Sequence, residues 1–261
     1  MITSSHNSRI QTVRALLNRH SERKKQAAFV IEGVRLVEEA VNAGSIPQLI
    51  LYSSSLSERG QAVLSALAAN DCPIEEVEES LLRSLSDTET PQGILVVLPL
   101  LHKQLPPAWD FLVIADNLRD PGNLGTLLRT TAASGADGLI VTPGTTDPFA
   151  PKVVRSGMGA HFHTPILAAE WPEIEALCHA RAPTPAQILI ADSAAGVVSW
   201  KVDLTLPTAL VIGGEAEGAQ PAAFACADHT IQIPMPGKSE SLNAAVAAGI
   251  LIFEVVRQRS T

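Results

Sequence analysis

Five nearly uninterrupted apolar segments limit the folds open to this chain of 261 residues: Phe111–Ala115, Leu139–Val141, Ile188–Ala191, Ala209–Ile212 and Thr230–Ile233. A strand with one wet face alternates apolar and polar residues; the first four of these segments do not, so both of their faces are predicted to be covered. Helical patterns separate them. Strand and helix in alternation predict an α/β fold, a parallel sheet with helices on both faces. Ligands of such sheets bind beyond the carboxyl ends of the strands. Three Gly-rich corners fall at those ends: Asp116 to Arg129, Leu210 to Gly218, and Pro234 to Glu254. The last places Gly, Ser and Asn at the mouth of a helix that is almost uncharged until Glu254. A helix start offers unpaired N–H groups and a positive dipole end to a polar ligand. Three such corners in one half of a chain predict a single composite site.

The first half mixes helix and strand signals. Ile10 to Arg19 reads as a basic amphipathic helix and Ala28 to Ile31 as a short strand. Gly33 to Ala43 reads as a helix with Val34, Val37, Ala40 and Val41 on one face, stopped by Gly44. Leu49–Tyr52 reads as a strand, Glu58–Ala69 as a helix and Ile94–Leu98 as a buried strand. Pro99 to Trp109 carries three prolines and no periodicity, which marks a boundary. The expected organisation is a domain over 1–100, a linker over 101–108 and a second domain over 109–261.

With 46% apolar residues the chain can build real cores, yet no apolar run approaches a membrane span and the first residues lack a signal-peptide core. Cys72, Cys178 and Cys226 are scattered, which argues against disulfides or a zinc site and fits a reducing cytoplasm. His161 and His163 have no Cys or third His nearby and read as an ordinary loop pair, so no metal is expected. The net charge of −8 hides an asymmetry: residues 1–35 hold seven basic side chains against Glu22 and Glu32, so they carry +5 and the remainder −13. A basic patch on an acidic body suits phosphate binding, and Arg9, Arg14, Arg19, Arg23 and Lys24 are its candidate RNA contacts.

Familiar nucleotide motifs fail. Gly237-Lys238-Ser239 resembles the tail of a P-loop, but Gln232 stands where that motif needs its first Gly. No G-x-G-x-x-G occurs, and Ser241 occupies the second Gly position of a nucleophile elbow centred on Ser239. Two charged residues remain unexplained by packing. Arg129 sits six residues into an otherwise apolar helix and calls for a phosphate or carboxylate partner. Glu215 follows a buried strand and two glycines.

Together the three corners resemble the TrmH-type (SpoU) branch of the SPOUT RNA methyltransferases. N-x-x-D-P-x-N-x-G-x-x-x-R-T matches Asn117 to Thr130, G-x-E-x-x-G matches Gly213 to Gly218, and I-P-M-x-G-x-x-x-S-L-N matches Ile233 to Asn243. Thr142 to Ala160 is similar to the connector between the first two motifs, and Phe29 to Ala40 resembles the small α/β substrate-binding domain of ribosomal L30e type carried by many members. Ala244-Ala245 departs from the β-branched residue and Ser common there, a change of packing more than of chemistry.

The resemblance implies an α/β SPOUT domain with a deep trefoil knot, S-adenosylmethionine bound in the knot, a homodimer, and methyl transfer to an RNA ribose 2′-hydroxyl. Ribosomal RNA is preferred and transfer RNA is the alternative; a non-catalytic knotted RNA-binding or ribosome-assembly module is the reading from a different class. By position, Arg129, Asn123, Glu215, Ser241 and Asn243 are the catalytic set, with Arg129 either taking the proton or only orienting ribose and phosphate. Thr142, Gly144, Ile212, Gly213, Gly214, Glu215, Ile233, Met235, Ser241, Leu242 and Asn243 are the expected cofactor contacts.

Overall fold

The computed structural model describes every residue except 68–71, 102, 194–195, 216, 238–240 and 261. The chain divides into two compact units, Met1–Leu101 with Phe149–Phe162, and His102–Pro148 with His163–Thr261.

The first unit holds helices α1 (Ser8–Asn18), α2 (His20–Gln26), α3 (Val34–Asn42), α4 (Glu58–Leu67) and α5 (Glu79–Arg83) and strands β1 (Ala28–Glu32), β2 (Leu49–Tyr52), β3 (Ile74–Glu76) and β4 (Ile94–Pro99). The sheet order is β1-β4-β2-β3, antiparallel except for the parallel pair of β2 with β3. Strand residues split by parity, as a pleated sheet requires. Phe29, Ile31, Ile50, Ile94, Val96 and Leu98 enter one core with α3 and α4, while Ala28, Val30, Leu49, Leu51, Leu95 and Val97 enter the other with α1 and α5.

Two expectations change here. The basic helix expected over Ile10–Arg19 is α1, and a second basic helix, α2, follows it, Arg19 being extended (φ −129°, ψ 117°) between them. The helix expected over Glu58–Ala69 is described over Glu58–Leu67, and 68 and 69 lie outside the described residues. The other change is the segment Phe149–Phe162, which belongs to this unit rather than to the sheet that flanks it in sequence. It carries α7 (Pro151–Gly157), and its Val154 and Phe162 are buried in the core with Phe29 and Val37. His161 lies in the same place, its ring stacked 6.4 Å from Phe29 and tilted 5.6 Å from Phe149.

The second unit is a sheet of seven strands, β5 (Phe111–Asp116), β6 (Gly138–Val141), β7 (Ile166–Ala168), β8 (Gln187–Ala191), β9 (Val197–Val198), β10 (Thr208–Gly213) and β11 (His229–Gln232). Its order is β7-β6-β5-β10-β8-β11-β9, and every neighbouring pair is parallel. All six residues of β5 are buried, so both faces are covered as the unbroken apolar runs predicted. The helices are α6 (Pro121–Ser134), α8 (Trp171–His179), α9 (Pro221–Cys226) and α10 (Ala244–Arg259). The longest two, α6 and α10, pack on each other, and α10 also lies on β10.

Candidate active site

The corner after β5 begins with a buried carboxylate. Asp116 is fully buried and accepts four hydrogen bonds: Thr142 Oγ1 at 2.7 Å, Trp171 Nε1 at 3.0 Å, the Gln220 amide N–H at 2.6 Å and Gln220 Nε2 at 2.9 Å. A charge so placed survives only when its lone pairs are taken, and here they are. The network ties the ends of β5 and β6 to the start of α9. Asn117 follows in the left-handed region (φ 55°), which Asn tolerates better than most residues. Its surroundings are built to touch it. A Cβ on Gly214 would stand 2.5 Å from the Asn117 carbonyl oxygen, and one on Gly144 would stand 2.6 Å from Asn117 Oδ1.

Asp120 then caps α6, its Oδ1 accepting from the Asn123 N–H at 2.8 Å, with Pro121 in the first helical turn. The cap sets the side chain of Asn123 toward the second corner: Nδ2 donates to Glu215 Oε1 at 2.6 Å. Its Oδ1 accepts from Asn243 Nδ2 at 3.0 Å. Asn243 is in turn the cap of α10, accepting from Ala245 N–H at 3.0 Å and Val246 N–H at 3.2 Å. One line of side chains therefore links all three corners.

The turn carrying Glu215 is closed by reciprocal Gly214 and Gly218 backbone hydrogen bonds of 3.0 Å. Its second carboxylate, Glu217, accepts from Asn117 Nδ2 at 3.3 Å and Arg119 Nη2 at 3.2 Å. Next to this turn opens a cavity of about 760 Å³ between the ends of β8, β10 and β11 and the start of α10. Of the expected contacts, Ile212, Gly213, Gly214, Glu215, Ile233, Met235, Ser241, Leu242 and Asn243 line it.

Thr142 and Gly144 do not. Thr142 is buried against Asp116, and Gly144 packs against the Asn117 side chain. Both shape the β5 corner rather than the cavity wall. Asn123 reaches the cavity through Glu215 and Asn243. Arg129 lies six residues further along α6, roughly 9 Å at 1.5 Å per residue. It is exposed and makes no hydrogen bond or ion pair among the described residues, so of the two partners expected, a phosphate or a carboxylate, no carboxylate of the described residues pairs with it. The reason is helical phase: Thr126, Arg129 and Ala133 share the solvent face while Leu124, Leu127, Leu128 and Thr131 point inward.

Sequence reasoning missed Asp192, Ser193, Glu217, Phe224 and Leu251 among the residues that line the wall. Asp192 directly follows β8, so the rule that marked the other corners could have found it; no Gly-rich pattern drew attention there.

The basic patch of the first unit is reduced. Arg23 is buried, and its Nη1 donates to the carbonyls of Leu16 at 2.6 Å and Leu17 at 3.2 Å, because the break at Arg19 folds α2 back over the end of α1. Arg9 is paired with Glu75. Arg19 and Lys24 remain exposed and Arg14 half-buried.

An open parallel sheet with a ligand cavity at its strand ends, walled by two glycines and an Asn-capped helix, defines an α/β ligand-binding domain built for close backbone approach. Residues 110–253 match the SpoU rRNA Methylase family, and the chain belongs to that family. Residues 7–96 match the MRM3-like substrate binding domain. The 23S rRNA (uridine(2479)-2′-O)-methyltransferase of Streptomyces viridochromogenes is 34% identical, the match covering 98% of this chain and 92% of that one. The 23S rRNA (guanosine(2553)-2′-O)-methyltransferase RlmP of Bacillus subtilis is 31% identical over 97% of this chain and 98% of its own. Among solved structures, the SpoU methyltransferase AviRb of S. viridochromogenes in complex with AdoMet superposes with a TM-score of 0.91 at 32% identity, covering 98% of this chain and 99% of that one.

Proposed function

We propose that this protein transfers a methyl group from S-adenosylmethionine to a ribose 2′-hydroxyl of ribosomal RNA. The observation that carries the reading is the chain Glu215–Asn123–Asn243, which joins the three motif corners at one cavity. The cavity's residues fit the cofactor. Its volume lies within the usual range for small-molecule sites. Gly213 and Gly214 let the backbone of Gly218, Ala219 and Asn117 pack closely behind the cavity wall, Ile212, Ile233, Leu242 and Leu251 give apolar walls, and Asp192, Glu215 and Glu217 suit a ligand with a sulfonium and an ammonium group. Bound there, the cofactor would supply an electrophilic methyl group.

The protein's own residues then have positional and electrostatic work. Asn123 and Asn243 hold Glu215 in one orientation, and the apolar walls exclude water. Arg129 acts through charge, neutralising the phosphate beside the target ribose. Arg14, Arg19 and Lys24 of the first unit give sequence-independent affinity for RNA phosphates. The relatives that act on 23S rRNA support ribosomal over transfer RNA.

Two architectural readings accompany this one. Val246, Ile250 and Phe253 are 52%, 44% and 49% exposed at helical spacing on α10, a stripe suited to a second copy of the chain. The chain also leaves β11, beyond β8 in the sheet, and returns as α10 against β10 and α6, the crossing that a C-terminal knot needs. No helix among the described residues is long and apolar enough to cross a membrane, and the cytoplasm is our assignment.

Mapping 2′-O-methyl groups in total RNA from cells with and without the protein tests the function. One ribosomal site should vanish; an unchanged map in an otherwise competent strain overturns the reading.

A further inference from the structure

Two carboxylates stand at the mouth of the cavity, on the turn from Gly214 to Gly218, and a third, Asp192, lies in its wall. No Lys or Arg is among the described residues lining the cavity. An RNA phosphate brought to this mouth meets negative charge unless a cation sits beside the turn. Glu215 is satisfied by the neutral Asn123. Glu217 is satisfied by a cation: Arg119 Nη2 donates to its Oε2 at 3.2 Å, while Arg119 Nε donates to Asn117 Oδ1 at 3.2 Å.

This pair is not a structural one. The side chains of Arg119 and Glu217 are 67% and 66% exposed, and an ion pair so open to water contributes little to stability. The surroundings nevertheless fix where the guanidinium is. Asn117, which orients it, is held in a left-handed conformation between Gly144 and Gly214. A guanidinium held by Asn117 through Nε, with Nη2 on a carboxylate oxygen at the rim of a ligand cavity and cheap to detach, matches what a phosphodiester oxygen requires.

We propose that Arg119 is a phosphate-binding residue for the RNA substrate at the rim of the donor cavity, with Glu217 occupying its guanidinium until a backbone phosphate replaces it. The inference rests on the reading of the site as an RNA methyltransferase. It assigns to Arg119 a role in binding and none in the methyl-transfer step, and it differs from Arg129 in lying before the Asp120 cap, next to Glu217, rather than on the solvent face of α6.

The test uses the full-length protein, an unmodified 23S rRNA transcript and radiolabelled S-adenosylmethionine. Arg119→Ala should raise the dissociation constant and KM for the transcript about tenfold, the size expected for one charge-assisted hydrogen bond. It should leave kcat within about twofold and cofactor affinity unchanged. The slope of log K against log salt should fall by about 0.7 to 0.9, the release from one phosphate. Arg119→Lys should restore the slope but only part of the affinity, since it keeps the charge and loses the fork. Glu217→Gln should bind the transcript at least as tightly as wild type. An Arg119→Ala protein with wild-type affinity and slope overturns the proposal, as does one whose kcat collapses while KM holds. A wild type that binds the transcript but transfers no methyl group instead sinks the methyltransferase reading, and the slope comparison still decides the phosphate contact.

Discussion

The carboxamide of Asn123 is 2.6 Å from the carboxylate of Glu215, two residues 92 positions apart that belong to different corners of the site. Because the other end of the same carboxamide accepts from Asn243 at 3.0 Å, its orientation is set from both sides. Asn123→Asp replaces the donor with a second carboxylate facing Glu215. Methyl transfer, as kcat/KM, should fall by about 100-fold or more, since a misplaced catalytic group commonly costs that much. Steady-state kinetics alongside calorimetric titration of the cofactor separates lost chemistry from lost binding. Activity within threefold of wild type would mean that this contact does not organise the site.

Asp116 makes a second, larger prediction about stability. Removing its carboxylate by Asp116→Ala strands Trp171 Nε1 and the Gln220 backbone N–H without an acceptor, and leaves Thr142 Oγ1 only the Ala115 carbonyl at 3.5 Å and Gln220 Nε2 only Thr142 Oγ1 at 3.3 Å and the Pro143 carbonyl at 3.2 Å. Breaking such a buried charged network should cost about 3 kcal/mol or more in urea unfolding. A loss under about 1 kcal/mol would show that water or a neighbour takes over.

The exposed stripe on α10 is separable from the cavity, because Ala244, Ala247 and Leu251 line the cavity while Val246, Ile250 and Phe253 face outward. Ile250→Asp should therefore yield monomers in sedimentation velocity while cofactor binding persists in the monomer. If wild type already sediments as a monomer at micromolar concentration, the homodimer assignment fails.

Cys178 is fully buried, and burial in the apolar core pushes its thiol up to about 12. Folding then favours the protonated form. The associated stability is fully present below the thiol's ordinary value of 9.0 and drains away as pH climbs from there toward 12. Unfolding free energies at pH 8 to 10.5 should decline more steeply for wild type than for Cys178→Ala, by up to about 1.4 kcal/mol per pH unit. Parallel slopes would refute it. The native protein should likewise leave Cys178 unmodified by a thiol reagent at pH 8 until it is unfolded.

What could be read from the sequence follows from how local the signal was. The core strands were legible because β5, β8 and β10 are buried along nearly their whole length and so carry unbroken apolar runs. Ile166–Ala168 and Val197–Val198 were not, being three and two residues long and partly exposed at the sheet edges. Nearly half of the cavity wall was legible because glycines and an Asn cap leave a pattern in sequence. Asp192 leaves only its place directly after β8, and Phe224 leaves none; the order of the strands brings both to the same end of the sheet. Charge was the least faithful guide. Arg23 counted toward a phosphate-binding face, yet it closes the end of α1, and Arg129, for which a phosphate or carboxylate partner was expected, faces solvent. Nothing local distinguishes a cation that caps a helix from one that waits for a ligand.

The segment Phe149–Phe162 has a bearing on how the molecule is made. Its Val154 and Phe162 complete a core whose other members all precede residue 102. During synthesis that core must wait, unfinished, while β5, α6 and β6 are translated in between. The earliest-made part of the protein is thus among the later parts to be sealed, and a gene fragment stopping at residue 101 would express a body with one wall missing.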